Sequence, residues 1–221
     1  MAIDQASARF VTLNQVKGLA SGNQAVIAAG TGLGEAGLYW DGTKYHVFAC
    51  EGGHCDFAPR NELEIELLRY LLARFGHVSY ERIVSGPGLA NVFDFLRDTG
   101  RGQEPKWLTE EIALGDPGPA ISRAALSGKC ALAEQALDLW VSIYGAEAGN
   151  LALKLKATGG VFLGGGIAPR ILSKLAGPVF MQSFLNKGRM QALLETIPVK
   201  VITNEKAALL GAARCAVKAG C

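Results

Sequence analysis

The sequence is first informative through what it lacks. It contains no run of about 18 apolar residues, which a membrane-spanning helix would require. Its first residues, Met1-Ala2-Ile3-Asp4, do not have the pattern of a signal peptide. Its 22 lysines and arginines are scattered among 20 acidic residues, without the basic stripe that marks a nucleic-acid-binding surface. We therefore expect neither a membrane nor a nucleic acid as a partner.

The sequence also lacks paired cysteine motifs, a long interdomain linker and internal repeats. The five cysteines are an odd number and show no C-x-x-C spacing, which argues against a disulfide framework and against a structural zinc site. A reducing cytoplasm is the simplest interpretation. Because 49% of the residues are hydrophobic, the 221-residue chain can bury a core, either as one large domain or as two small ones.

Apolar periodicity and turn residues predict an α/β fold. Three strand-like runs come first, at 23–30, 35–40 and 44–50, and Asp41-Gly42 is a strong hairpin signal between the last two. These runs predict a three-stranded antiparallel meander. Helices are predicted at 61–75, 89–98, 110–114, 129–156, from about Pro169, and at 206–217, with Thr109 and Asn204 as the caps of the third and the last. Two more strands are predicted at 160–164 and 198–202. Breaks are predicted at Gly86-Pro87-Gly88 and at Asp116-Pro117-Gly118-Pro119.

Glycine is abundant, and one glycine-framed segment, Gly30-Thr31-Gly32-Leu33-Gly34, joins the first two predicted strands. Glycines allow backbone N–H groups to approach phosphate oxygens, and the Thr31 hydroxyl adds a donor. A tight hairpin between the strands is the alternative interpretation. The segment is not a Walker motif, because no Gly-Lys-Ser/Thr follows, and not a dinucleotide fingerprint, because no helix follows.

A second glycine cluster, Gly164-Gly165-Gly166, ends the strand predicted at 160–164 and precedes a predicted helix. Glycines at the carboxyl end of a strand in an α/β sheet commonly admit a nucleotide. A plain strand-to-helix turn is the alternative.

A polar segment, Glu51-Gly52-Gly53-His54, follows a strongly apolar strand and precedes the rigid Phe57-Ala58-Pro59. A carboxylate accepts hydrogen bonds from vicinal hydroxyls, and a neutral imidazole can both donate and accept. One Glu and one His do not fill the coordination shell of a metal, so sugar recognition is favoured over metal binding, with a solvated loop as the alternative. Glu81 by itself resembles a surface helix residue.

Four segments occur together in one order: Gly30–Gly34, Glu51–Pro59, Glu81 through Ser85-Gly86-Pro87-Gly88-Leu89, and Gly159–Pro169. In that order the chain closely resembles the bacterial glucokinase family, which has the actin-like sugar kinase fold. The resemblance runs from about residue 1 to about residue 217. The related branch of repressors and sugar kinases carries a cysteine-rich zinc motif after its Gly-His segment. This sequence has no such motif, which favours the glucokinase branch.

The resemblance implies an RNase H-like (actin-like ATPase) lobe, with a mixed sheet that starts with the antiparallel meander and helices on both faces. It implies in-line transfer of the γ-phosphoryl group of ATP to the 6-hydroxyl of glucose, helped by Mg²⁺. The implied site residues are Glu51, His54 and Glu81 for the glucose hydroxyls; Gly30, Thr31, Gly32 and Gly34 for the ATP phosphates; and Gly164, Gly165 and Gly166 beside the adenosine.

The sequence also departs from this family. The family's first phosphate loop, Asp-x-Gly-Gly-Thr, and the Asn-Asp whose Asp is the general base are not matched here, and Asp4 falls several residues too late to be that base. We therefore expect residues 1–221 to be the C-terminal large lobe of a glucokinase, without a catalytic base. Since general-base help is worth about a hundred- to ten-thousand-fold, we expect little activity from it alone.

Two other interpretations of this departure stay open. The chain could be a non-catalytic sugar-binding or regulatory module, or one subunit of a split hexose kinase. Another hexose could also replace glucose as the substrate. In each case we expect a cytoplasmic protein that associates as a homodimer, because removing a lobe exposes apolar surface.

Overall fold

The computed structural model describes residues 10–16 and 21–219, so Asp4 lies outside the described residues. Within those two ranges six strands form one sheet: β1 (Phe10–Thr12), β2 (Gln24–Ala29), β3 (Leu33–Trp40), β4 (Tyr45–Cys50), β5 (Gly160–Gly164) and β6 (Val199–Ile202). The same ranges contain nine α-helices: α1 (Glu62–Phe75), α2 (Gly86–Asp98), α3 (Lys106–Ala113), α4 (Pro117–Leu126), α5 (Ala131–Leu155), α6 (Leu172–Leu175), α7 (Pro178–Leu185), α8 (Gln191–Leu194) and α9 (Ala207–Ala219).

The sheet is mixed, with the strand order β1-β6-β5-β2-β3-β4. β5 is parallel to β2 and to β6, whereas β3–β4 and β1–β6 are antiparallel pairs. The Asp41-Gly42 turn forms as predicted, because the Asp41 carboxylate accepts hydrogen bonds from the N–H groups of Thr43 (2.8 Å) and Lys44 (2.9 Å). The predicted α/β class is confirmed, with the short β1 as an additional strand before the meander.

The chain divides into two compact units. The first unit comprises the described residues up to Ala29, Gly34–Gly52 and the described residues from Gly145 onward, and therefore holds nearly all of the sheet. A buried cluster of Val26, Leu38, Phe162 and Ile202 forms part of its core, with Phe10, Tyr45 and Ala207 packed against it. Asn23 joins three elements here, since its side chain accepts from the Trp40 N–H at 3.0 Å and donates to the Leu155 carbonyl at 2.9 Å.

The second unit comprises Gly30–Leu33 and Gly53–Tyr144 and is mainly helical. In it α2 packs against α1 and α4, and α3 packs against α4. The fully buried Trp140 donates its indole N–H to the Ser85 carbonyl at 3.1 Å. Among all helices of the described part of the chain, none is long and apolar enough to cross a membrane.

Two segments that we predicted as breaks are helix starts. The Ser85 hydroxyl accepts a hydrogen bond from the Gly88 N–H (3.0 Å), so α2 begins at Gly86 rather than at residue 89. Asp116 caps α4 in the same way. Proline is tolerated in the first helical turn because its missing N–H has no partner there. Two other predicted starts were also wrong: α3 is preceded by Pro105 rather than Thr109, and the helix predicted from Pro169 begins at Leu172.

Candidate functional site

The segment from Gly30 to Leu33 forms a closed loop in the second unit. The Gly30 N–H donates to the Gly32 carbonyl, and the Gly30 carbonyl accepts from the Gly86 N–H at the start of α2, both at 2.8 Å. The Leu33 N–H donates to Glu81 Oε2, also at 2.8 Å. Two segments predicted to bind different ligands, the glycine loop and Glu81, are therefore hydrogen-bonded to each other.

Glu81 lies on a short 3₁₀ turn, Tyr80–Arg82, and its carboxylate packs directly against the loop. A Cβ on Gly32 would fall 2.5 Å from Glu81 Oε2, so any larger residue there would have to displace the carboxylate. The other carboxylate oxygen, Oε1, accepts no hydrogen bond from any residue that the structure describes. Glu81 therefore anchors the loop with one oxygen and can accept a ligand hydroxyl with the other.

Gly30 and Gly34 differ from Gly32, because no neighbouring atom in the described part of the chain stands where a side chain would begin at either position. A Cβ on either would meet no atom of the described residues within 4 Å, and neither residue has a positive φ. Neither packing nor backbone conformation therefore requires glycine at these two positions. The space beside each backbone suits the close approach of a phosphate, and the exposed Thr31 makes no hydrogen bond within the described residues. These observations favour the phosphate-binding interpretation over the plain hairpin.

His54 and Glu81 flank the same backbone hydrogen bond in the second unit. The Tyr80 N–H donates to the Cys55 carbonyl at 3.0 Å, next to an antiparallel bridge between Asp56 and Ser79. His54 precedes the acceptor residue and Glu81 follows the donor residue. The structure thus brings these two predicted sugar-binding residues together, and the His54 side chain is exposed to solvent.

Glu51 and Gly34 lie at the open end of the β3–β4 hairpin in the first unit. The register pairs Glu35 with Cys50, so Gly34 and Glu51 each lie one residue beyond that pair. Both residues are exposed. The hairpin therefore brings one predicted phosphate-binding glycine close to one predicted sugar-binding carboxylate.

The Gly164-Gly165-Gly166 turn meets the carboxyl end of β2. Gly164 pairs with Ala28 in the parallel β2–β5 ladder, and the Ile167 N–H donates to the Ala29 carbonyl at 3.3 Å. Gly165 has a φ of +83°, which glycine adopts most easily. The turn is exposed at Gly165 and Gly166. The carboxyl ends of parallel strands are where nucleotides bind in α/β sheets, so this position agrees with the predicted role.

Glu35 is a notable residue that we did not single out from the sequence. It is a carboxylate only 7% exposed, on β3 between the buried Leu33 and Gly37. Burial, and secondarily the charge of Glu147, raises the pKa of Glu35 to about 7, although Lys154 opposes this increase. The period-two alternation of β3 assigns Glu35 to the buried face and could have revealed it.

Metal ligands are not clustered in the part of the chain that the structure describes: no group of three or more His, Cys, Asp and Glu side chains there could hold a metal ion.

Comparison with known proteins identifies the family. A family model described as "Glucokinase" matches residues 1–219. The chain belongs to the glucokinase family. The glucokinase of Nostoc sp. is 47% identical over 207 residues, a match that covers 88% of this chain and 60% of that protein. The glucokinase of Synechocystis sp. is 47% identical over 212 residues, covering 90% of this chain and 60% of that protein.

A solved structure supports the same assignment. The crystal structure of a glucokinase from an Antarctic psychrotroph has a TM-score of 0.81 and 32% sequence identity, and the match covers 96% of this chain and 62% of that one. The resemblance inferred from the four ordered segments, and the sugar-kinase fold that it implied, are therefore confirmed. This glucokinase-family chain spans about three fifths of the length of the relatives it matches.

Proposed function

We propose that this chain takes part in the ATP-dependent phosphorylation of glucose to glucose 6-phosphate, as the portion of a glucokinase that holds the sugar hydroxyls and part of the nucleotide. The hydrogen bond from Leu33 N to Glu81 Oε2 is the observation that carries the proposal, because it ties a glycine loop suited to phosphate to a carboxylate suited to sugar. Family membership supports the same reaction.

Each candidate residue has a role that its chemistry supports. Glu51, His54 and the second oxygen of Glu81 accept hydrogen bonds from sugar hydroxyls. Thr31 and the backbone N–H of Gly34 donate to phosphate oxygens; Gly30, Gly32, Gly164, Gly165 and Gly166 supply the close backbone approach of the loop and of the turn beside the adenosine. ATP would supply the phosphoryl group, and Mg²⁺ would neutralise its charge.

We also propose that residues 1–221 by themselves phosphorylate glucose slowly. The Asn-Asp segment that the resemblance implies for the general base is not matched in this sequence. Positioning of sugar and nucleotide without a base leaves the deprotonation of the attacking hydroxyl unassisted. The cytoplasmic location and the homodimer stay predictions, and sedimentation over a range of concentrations measures the second.

Calorimetric titration with glucose, paired with a coupled phosphorylation assay, tests the proposal. The Glu51→Gln variant should bind glucose about tenfold more weakly or worse, because hydrogen bonds to a charged acceptor contribute about 1.5–3 kcal/mol. Glu110→Gln, an exposed carboxylate on α3, is the matched control and should bind like the unmodified chain.

The outcomes separate the alternatives. Glucose binding that weakens in Glu51→Gln, with slow phosphorylation, supports the proposal. Fast phosphorylation would show that a base exists within the chain. Binding with no phosphorylation at any nucleotide concentration would favour a sugar-binding module instead. No glucose binding, with binding of mannose or fructose, would assign a different hexose.

A further inference from the structure

A buried polar cluster in the first unit lies directly beside the predicted sugar-binding residue Glu51. Glu35 is its member on β3, and a Cβ on Gly52 would overlap Glu35 Oε2. The Glu35 carboxyl group therefore packs against the backbone of the residue that follows Glu51. No other side chain could occupy position 52 without displacing it.

The charge of Glu35 lacks the compensation that its neighbour has. The fully buried Glu147, on α5, accepts hydrogen bonds from Asn150 Nδ2 (2.8 Å) and Lys154 Nζ (3.2 Å). Lys187 Nζ in turn donates to Asn150 Oδ1 at 2.6 Å. In contrast, Glu35 Oε1 is buried and has no hydrogen-bond partner among the described residues. A buried carboxylate without a partner is costly when it is charged.

Titratable groups face Glu35 from two elements, and the two that act on its ionisation both lie on α5. Glu147 and Lys154 face it from α5, with opposite effects on its ionisation, and the half-buried thiol of Cys50 lies opposite it in the β3–β4 register. Desolvation and Glu147 outweigh Lys154, which is why the pKa of Glu35 lies at about 7. Near neutral pH, the group is therefore divided between its neutral and ionised forms.

We propose that Glu35 is a positioning residue whose protonation holds the Glu51–Gly52 segment in its sugar-binding conformation, so that sugar affinity falls when Glu35 ionises. The proton is exchanged with solvent and no covalent bond changes. Ionisation favours movement of the carboxylate toward water, and the Gly52 backbone packed on it must move as well. This inference rests on the proposed function, because it takes Glu51 as a sugar ligand.

Calorimetric glucose titrations at pH 6, 7 and 8 test the proposal. One linked proton changes affinity by at most about tenfold per pH unit, and for a group titrating near neutrality we expect a loss of roughly five- to tenfold between pH 6 and 8. Glu35→Gln keeps the shape but cannot ionise, so this part of the pH dependence should vanish. All other titrating groups remain in that variant, so the comparison isolates Glu35. Glu110→Gln should retain the full pH dependence of glucose affinity.

A second readout does not depend on sugar. The ¹H–¹⁵N signal of the Gly52 amide, followed from pH 5 to 9 in the absence of glucose, should shift with a midpoint near 7 in the unmodified chain and stay constant in Glu35→Gln. A residue that merely fills space would leave this signal without such a midpoint.

The outcomes distinguish the two proposals. Glucose binding with the same pH dependence in the unmodified chain and in Glu35→Gln would overturn the positioning role and leave the proposed function standing. A Gly52 titration that Glu35→Gln abolishes, without glucose binding at any pH, would support the proton-linked movement while refuting the sugar-binding role. A Gly52 signal that does not titrate would overturn the positioning role on its own.

Discussion

The Glu81 carboxylate accepts a hydrogen bond from the Leu33 backbone N–H, with Oε2 and N 2.8 Å apart. Leu33 is buried, so water has little room to replace Glu81 as the partner of its N–H. One side chain thus holds the glycine loop through one carboxylate oxygen, and we propose that its second oxygen accepts a sugar hydroxyl. Loss of Glu81 should therefore affect loop stability and ligand binding together.

Replacing Glu81 by alanine should lower the free energy of unfolding by about 1–3 kcal/mol, because it leaves the buried Leu33 N–H without an acceptor. Glu81→Gln retains a carbonyl oxygen as acceptor and should lose less than about half of that amount. Urea unfolding of the two variants and of the exposed control Glu110→Ala provides the measurement. Equal midpoints for Glu81→Ala and the control would show that the hydrogen bond does not stabilise the loop.

Alanine substitutions at Gly32 and Gly34 should have opposite consequences. The new Cβ of Gly32→Ala would displace the Glu81 carboxylate, so we expect a loss of about 1–3 kcal/mol in unfolding free energy. Gly34→Ala places its Cβ in open space and should change stability by less than about 0.5 kcal/mol. It should nevertheless weaken the binding of a non-hydrolysable ATP analogue about tenfold, by obstructing phosphate approach.

Thermal unfolding and calorimetric nucleotide titration of both variants decide this point. If Gly34→Ala binds the analogue as the unmodified chain does, the glycine there has no role in phosphate binding, and the hairpin interpretation regains support.

Ser85 combines a cap with support for the Glu81 backbone. Its hydroxyl accepts from the Gly88 N–H (3.0 Å) and donates to the Glu81 carbonyl (2.7 Å). Ser85→Ala should cost about 1 kcal/mol of stability, the usual effect of losing an N-cap, and should also weaken glucose binding. Ser79→Ala is the matched control, because Ser79 is also buried but its side chain makes no capping bond. A loss of stability with unchanged glucose affinity would show that Ser85 caps α2 but has no effect on the sugar-binding role of Glu81.

Strong local signals explain what could be predicted from the sequence. The strands β2, β4 and β5 are nearly continuous apolar runs, and α1 carries a leucine stripe behind the capping residue Asn61. These segments agree with prediction to within one or two residues. In contrast, α4 was missed because Asp116-Pro117-Gly118-Pro119 consists of turn-forming residues, and such residues also start helices.

The candidate site could be predicted only in part, because its contacts are not local. The ordered motifs identified Glu81 and the glycine loop as candidate binding segments, but not the contact between them. The hydrogen bond between Leu33 and Glu81 joins residues 48 positions apart, and no periodicity encodes it. Likewise, the pKa of Glu35 is raised by burial and secondarily by Glu147, which lies on a helix more than 100 residues further along the chain.

Replacing Glu35 by glutamine should stabilise the protein increasingly as pH rises. The unfolded carboxyl group titrates at its ordinary value of 4.5 and the folded group at about 7. Below 4.5 both states hold the proton, and Glu35 contributes no difference. Between these values Glu35 is ionised in the unfolded chain but still protonated in the folded one, which favours unfolding. Above 7 the free energy of unfolding is lowered by the full amount of about 3 kcal/mol. Glu35→Gln does not incur this cost.

Urea unfolding at pH 5, 6, 7 and 8 measures the effect. Relative to the unmodified chain, the unfolding free energy of Glu35→Gln should increase by up to about 3 kcal/mol over this range, most steeply below pH 7. The unfolding free energy of Glu110→Gln should change with pH as that of the unmodified chain does, because the Glu110 carboxylate is exposed. A constant difference between Glu35→Gln and the unmodified chain at all four pH values would mean that Glu35 ionises in the folded protein as it does in the unfolded chain. The buried, unpartnered position of its Oε1 atom argues against that result.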